Sequence, residues 1–169
     1  MKMEQKLPNR KKNRLQGYDY SESGAYFITI CTDNRRKILS NIVGGDVLDA
    51  PLVELTECGR IVDKYINLIN EHYEKLSVEQ YVIMPNHIHI ILYVHPNGAS
   101  RTSPPTVKQH STVPAFVSTL KRFSNKEIGK NIWQQSFHDH IIRDKCDYEE
   151  ISKYIYENPL KWEEDELYQ

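Results

Sequence analysis

Hydrophobic positions follow two different periods along the chain, and each change of period marks a new element. Gly24 opens the run Ala25-Tyr26-Phe27-Ile28-Thr29-Ile30-Cys31, dense in β-branched and aromatic residues, which predicts a strand. Asn34-Arg35-Arg36 forms its exit turn. Residues 42–54 contain Gly44-Gly45 and Pro51 and read as a loose hairpin or connection. The period then lengthens. Ile61, Val62, Tyr65, Ile66, Ile69 and Tyr73 recur at three- and four-residue spacing, so residues 56–73 form an amphipathic helix with Thr56 suited to its N-cap. Two apolar runs follow, 78–84 and 87–94, split by Pro85-Asn86. Pro85 has no N–H for a ladder, so a bend or bulge is expected there.

Residues 95–114 gather Pro96, Gly98, Pro104, Pro105 and Pro114 among Ser and Thr, the composition of a flexible loop. Residues 115–126 return to helical spacing, with Phe116, Leu120 and Phe123 on one face. Residues 131–142 are aromatic-rich and mixed. A last helix spans 147–158, with Asp147 as N-cap, Glu149 and Glu150 in the first turn, and Asn158-Pro159 as the stop. The order strand, helix, strand pair, helix, helix predicts an α+β sandwich: a small antiparallel sheet with helices packed on one face.

A chain of 169 residues is one domain. We divide it into a basic arm (1–14), a single domain (15–162) and an acidic tail (163–169). The longest apolar stretch, 88–94, is interrupted by His89 and is far shorter than the roughly 20 residues of a membrane span, which excludes an integral membrane protein. The N-terminus has no apolar core of a secretory signal. Three cysteines without CxxC spacing fit a reducing cytoplasm rather than a disulfide framework. Net charge is only −1, yet it is unevenly spread. Lys2, Lys6, Arg10, Lys11, Lys12 and Arg14 oppose Glu4 alone in the arm. Arg101, Lys108, Lys121, Arg122, Lys126 and Lys130 oppose Glu127 alone in residues 101–131. The last stretch carries Glu163, Glu164, Asp165 and Glu166. Two basic stretches give a footprint for nucleic acid that the net charge conceals; a solvated mixed-charge surface is the plainer alternative.

Two groups of residues bear chemistry. His87-Ile88-His89 lies on a predicted strand, so both imidazoles point to one face while Ile88 enters the core. Such a pair chelates a metal, although two hydrogen-bonded histidines would share the same pattern. A β-lactamase-like metal site would want Asp and His where Ile90-Ile91 stand. An amidohydrolase barrel needs about 250 residues. A cupin would want a Glu and a third His where the Pro/Ser/Thr loop lies. Further on, Tyr154 and Asn158 share a helical face at i,i+4, whereas Tyr156 is about 200° round the helix from Tyr154.

The combination is more specific than either part. Gly24-Ala25-Tyr26-Phe27-Ile28-Thr29, Met84-Pro85-Asn86-His87-Ile88-His89, Trp133-Gln134 with Phe137-His138-Asp139-His140-Ile141-Ile142-Arg143, and Tyr154-Ile155 with Asn158-Pro159-Leu160-Lys161-Trp162 follow one another in this order. Together they resemble the REP-associated tyrosine transposases of the single-tyrosine HUH superfamily, over about residues 14–162. The resemblance implies a ferredoxin-like (RRM-like) core acting on single-stranded DNA with hairpin, REP-like repeats. It implies a divalent metal, Mg²⁺ or Mn²⁺, on His87 and His89 with Asn158 as third ligand, and Tyr154 as nucleophile. Asn158 is an amide where related insertion-sequence enzymes carry glutamine. DNA contacts are expected from Arg10, Lys11, Lys12 and Arg14, from Lys121, Arg122 and Lys126, and from Arg143, for which packing is the other option; His138 has no assigned role. The arm is expected to read a hairpin and the 95–114 loop to tune sequence choice, in a cytoplasmic, nucleoid-associated enzyme, monomer or homodimer.

The chemistry is coherent. Tyrosine is a weak nucleophile at neutral pH because its ordinary pKa is near 10. A cation held by two imidazoles and an amide oxygen leaves positions open for phosphate oxygens. Attack then gives a 5′-phosphotyrosine and a free 3′-OH, a reversible exchange that permits strand transfer without ATP. Three rivals remain at this level: a catalytically silent nucleic-acid-binding domain of the same fold, a metal hydrolase in which the histidine pair activates water, and a structural or partner-binding protein with no metal.

Overall fold

The computed structural model describes residues 22–44, 52–96 and 112–168. Its elements are β1 (Gly24–Cys31), β2 (Ser40–Val43), β3 (Leu52–Leu55), α1 (Glu57–His72), β4 (Leu76–Ile83), β5 (His87–Val94), α2 (Thr112–Ile128), β6 (His138–Ile142) and α3 (Lys145–Glu157). β4, β5, β1 and β6 lie side by side in that order and are antiparallel throughout. Setting aside the small β2–β3 hairpin, the chain runs β-α-β-β-α-β, the ferredoxin-like arrangement.

Alternation along β1 and β5 decides what each sheet face buries. Tyr26, Ile28 and Ile30 with Ile88, Ile90 and Leu92 pack beneath Val62, Ile66 and Ile69 of α1 and Phe116, Val117 and Leu120 of α2. The two long helices therefore cover one face, as the periodicity requires. α3 takes the other. There Ile155 packs on Ile91 and Ile142, flanked by Ala25, Phe27 and Val82. β5 is consequently buried on both faces, which explains its nearly unbroken apolar run.

Two helix starts differ from expectation, and the bend expected at Pro85 is present. α3 begins at Lys145, capped by Asp144 rather than Asp147, because Asp144 has extended backbone and its carboxylate accepts the Asp147 N–H at 3.0 Å. Asp147 instead accepts from the Arg143 N–H and lies 2.9 Å from His140 Nε2. α2 starts at Thr112, three residues before the predicted helix, since Pro114 falls in the first turn where no N–H is needed. The chain turns tightly at Pro85-Asn86, closed by Met84 N–H on the His87 carbonyl, while the bulge lies in β4 between Val78 and Gln80. Residues 97–111 of the predicted loop and the whole basic arm lie outside the described residues. Among the described residues, no helix is long and apolar enough to cross a membrane.

Candidate active site

β1 and β5 pair with Thr29 opposite His89 and Cys31 opposite His87. This register puts both imidazoles on the face opposite α1 and α2, under α3. His87 is fully buried and His89 nearly so, with ring centroids 4.4 Å apart. Each ring is oriented through its Nδ1. Asn86 Oδ1 lies 2.8 Å from His87 Nδ1, and Thr29 Oγ1 lies 2.8 Å from His89 Nδ1. Asn86 is itself fixed, because its amide donates to the Leu167 carbonyl at 2.7 Å. Phe27 stacks on His89 at 5.1 Å between centroids. Both rings thereby turn Nε2 away from these partners, the arrangement by which outer partners orient metal-binding histidines.

α3 carries the remaining groups across the sheet. Its Ile155 anchors one face of the helix on the sheet, and the i,i+4 spacing brings Tyr154 to His89 and Asn158 to Asp165. Tyr154 Oη sits 3.4 Å from His89 Nε2 and 3.4 Å from Asp165 Oδ2. The tyrosine stays 44% exposed, so a substrate has access to it. Tyr156, on the other side of the helix, is 76% exposed and takes no part. Asn158 is buried, and its amide nitrogen donates to Asp165 Oδ2 at 2.7 Å.

Asp165 is the group that sequence reading missed, since it lay in a run of acidic residues with no distinguishing signal. The segment after α3 folds back, Trp162 packs 6.0 Å from the His87 ring, and Asp165 enters the pocket. Donor atoms of His87, His89 and Asp165 all fall within 4.8 Å of one another. Two buried polar atoms here have no hydrogen-bond partner among the described residues: His87 Nε2 and Asn158 Oδ1. An imidazole nitrogen and an amide oxygen, desolvated and unpaired beside a carboxylate, suit a divalent cation.

The electrostatics agree with a cation site. Burial lowers His87 to about 4, against the opposing pull of the Asp165 charge. His89 is lowered well below its ordinary value by burial and by His87. Both imidazoles are therefore neutral and able to ligate at pH 7. Tyr154 is pushed up to about 12 by burial and then by the Asp165 charge, the wrong direction for a nucleophile unless positive charge enters the pocket.

Of the predicted DNA contacts, those on α2 lie on the opposite face of the sheet from the histidines. Lys121 lies on α2, across the sheet, and donates to the Gln134 and Ser136 carbonyls at 2.8 Å each. Arg122 stacks on Phe123, and Lys126 is exposed. Arg143 and His138 are exposed at the ends of β6. Arg10, Lys11, Lys12 and Arg14 fall outside the described residues.

Comparison with known proteins places this geometry in context. Residues 20–158 match the family model described as "Transposase IS200 like". An uncharacterized protein of Haemophilus influenzae is 30% identical across 96% of this chain and 94% of its own length. A REP-associated tyrosine transposase of Escherichia coli is 27% identical over 84% of this chain and 70% of its own. A solved REP-associated tyrosine transposase bound to a REP hairpin superposes with a TM-score of 0.61 at 20% identity, over 92% of this chain and 74% of that one, a likeness of fold.

Proposed function

The chain belongs to the IS200-like transposase family, and from that premise we propose that it cleaves and rejoins single-stranded DNA through Tyr154. The observation that carries this reading is the meeting of Tyr154 Oη with His89 Nε2 beside the two unpaired ligand atoms, His87 Nε2 and Asn158 Oδ1. Tyr154 Oη lies 3.4 Å from His89 Nε2 of its own chain, which supports a nucleophile acting in cis.

His87, His89, Asn158 and Asp165 would hold the cation, Mg²⁺ or Mn²⁺. When bound, it supplies positive charge for the scissile phosphate and the leaving 3′ oxygen and draws the acidity of Tyr154 back toward neutrality. The residues do the rest. Asn86 and Thr29 hold the imidazoles in one tautomer. Phe27 and α3 exclude water from the floor of the pocket. Asp165 Oδ2 accepts the phenolic proton. Tyr154 Oη bonds to phosphorus, the P–O3′ bond breaks, and the departing oxygen takes up that proton. The 5′-phosphotyrosine conserves the phosphodiester bond, so a second 3′-OH reverses the exchange.

The REP-associated relatives, one of them solved with a REP hairpin, support the substrate class. Hairpin-bearing, REP-like single strands are bound, with the basic residues of the arm (Arg10, Lys11, Lys12, Arg14), the exposed Arg122 and Lys126, and Arg143 as phosphate contacts; Lys121 chiefly braces residues 134–136. The protein acts in the cytoplasm, on the nucleoid.

Incubating wild type and Tyr154→Phe with a pool of hairpin-bearing single strands and Mn²⁺, then running a denaturing gel, tests the reading. A metal-dependent protein–DNA band in wild type only is expected. Cleavage that persists in Tyr154→Phe without a band would transfer the reaction to activated water, and binding without cleavage would leave a silent DNA-binding domain.

A further inference from the structure

We infer that Arg35 is a phosphate-binding residue of this site, its guanidinium holding a DNA backbone phosphate on the rim beside His87. The inference deepens the strand-cleavage reading and rests on it.

Arg35 is placed with unusual firmness for a turn residue. Thr32, fully buried, shares its hydroxyl between the Arg36 carbonyl at 2.8 Å and the Asn86 carbonyl at 3.0 Å. Its N–H donates to the same Asn86 carbonyl at 2.9 Å. The Arg35 N–H closes the turn on the Thr32 carbonyl at 3.1 Å. The turn is therefore tied to Asn86, the residue that orients His87. Its backbone is also costly. Asn34 and Arg35 both have positive φ, 53° and 50°. Asparagine tolerates that region; arginine does so rarely, and a turn needing only the shape would be better served by glycine. The head group, not the backbone, accounts for an arginine here.

Among the described residues, that head group lacks an acceptor. Arg35 Nη1 is buried and has no hydrogen-bond partner among the described residues. Its neighbours are engaged: Arg36 pairs with Asp33 at 3.6 Å, and Lys37 lies 4.2 Å from the centre of the Tyr168 ring. A buried guanidinium N–H without a partner calls for an anion, and the planar fork suits phosphate. The Arg35 turn directly follows the end of β1, where Cys31 pairs with His87 and Thr32 bonds to Asn86.

A cleft of about 360 Å³ is lined by Tyr154, Asn158 and Asp165 together with Glu157, Glu164 and Glu166, against Lys161 alone, so a strand entering it needs positive charge from outside this lining.

The test is equilibrium binding of a hairpin-bearing single strand, selected from the pool by wild type, with each phosphate in turn replaced by a neutral methylphosphonate. Wild type should lose roughly 10-fold in affinity at one position. Arg35→Ala should bind the unmodified strand about 10-fold more weakly, lose sensitivity at that one position, and show a salt slope shallower by about 0.7. Arg35→Lys should recover part of the affinity. Arg35→Gly accepts the turn backbone, so it should fold at least as stably as wild type and share the binding defect; this separates lost contact from misfolding. If Arg35→Ala and Arg35→Gly respond to every methylphosphonate as wild type does, the inference is wrong, while an intact phosphotyrosine band would leave the cleavage reading standing. If the coupling is present and no band forms, the tyrosine chemistry fails and the phosphate site stands. If wild type binds no single strand, both fall.

Discussion

Asn86→Ala probes how the pocket is held together. Asn86 is fully buried, and its two side-chain ends serve different partners: Oδ1 meets His87 Nδ1 at 2.8 Å and Nδ2 donates to the Leu167 carbonyl at 2.7 Å. Truncation leaves a buried imidazole N–H unpaired, which costs about 1–3 kcal/mol. For a chain of this size that lowers Tm by roughly 2–12 °C in EDTA. The second effect is on the cation. Loss of an outer partner weakens metal binding about 10–100-fold. At a Mn²⁺ concentration of about 100 times the wild-type Kd, linkage stabilises wild type by about 2.7 kcal/mol, and the variant by only about 0.4–1.4 kcal/mol. Thermal melts of both proteins in EDTA and in Mn²⁺, with Kd from titration calorimetry, measure the two effects separately. A variant that melts lower in EDTA yet keeps the whole Mn²⁺-dependent gain would refute the claim that Asn86 orients His87 for a cation. An unchanged melt in EDTA would refute the cost of the unpaired imidazole.

Acid should destabilise the metal-free protein through the same histidine. Burial holds His87 at about 4, below its unfolded value near 6.5, so the stability it contributes is present above pH 6.5 and is lost as pH falls toward 4. His87→Asn should flatten Tm against pH in that window, and an unaltered profile would count against it. Asp165→Asn should bring the Tyr154 ionisation down from about 12, because a negative charge that opposes the phenolate is removed; NMR titration of ring-labelled tyrosine would show it. Ile155→Ala, in the contact of α3 with Ile91 and Ile142, should cost about 2–5 kcal/mol in denaturant unfolding and displace Tyr154. Gly59→Ala should cost about 1–3 kcal/mol, since a Cβ would run into the Leu39 carbonyl that receives the Thr56 N–H, and unaltered stability would show that α1 can shift away.

Relations of short range were legible in the chain itself. The two-residue period of a strand puts His87 and His89 on one side and Ile88 on the other, and the rings do face each other beneath α3. The i,i+4 relation puts Tyr154 and Asn158 on one helical face. The long helices and their common packing face likewise follow from apolar spacing, because each depends only on residues three or four apart. The position of α3 was not legible. Its apolar stripe required a surface but did not say which side of the sheet would provide it. That choice follows from Ile91 and Ile142 being exposed on the face left bare by α1 and α2.

Tertiary structure alone brought the site together. Tyr154 meets a histidine 65 positions earlier in the chain, and Asp165, one acid among several, is selected only because the segment after α3 turns back over His87. The roles of Asn86, Thr29 and Arg35 have the same origin. Each is an ordinary polar residue in sequence, and its partner or lack of one exists only once β1 and β5 are in register and desolvated. Local pattern reports what a segment must bury. It carries no record of which distant polar atoms that burial leaves facing one another, and the chemistry proposed here depends on those atoms.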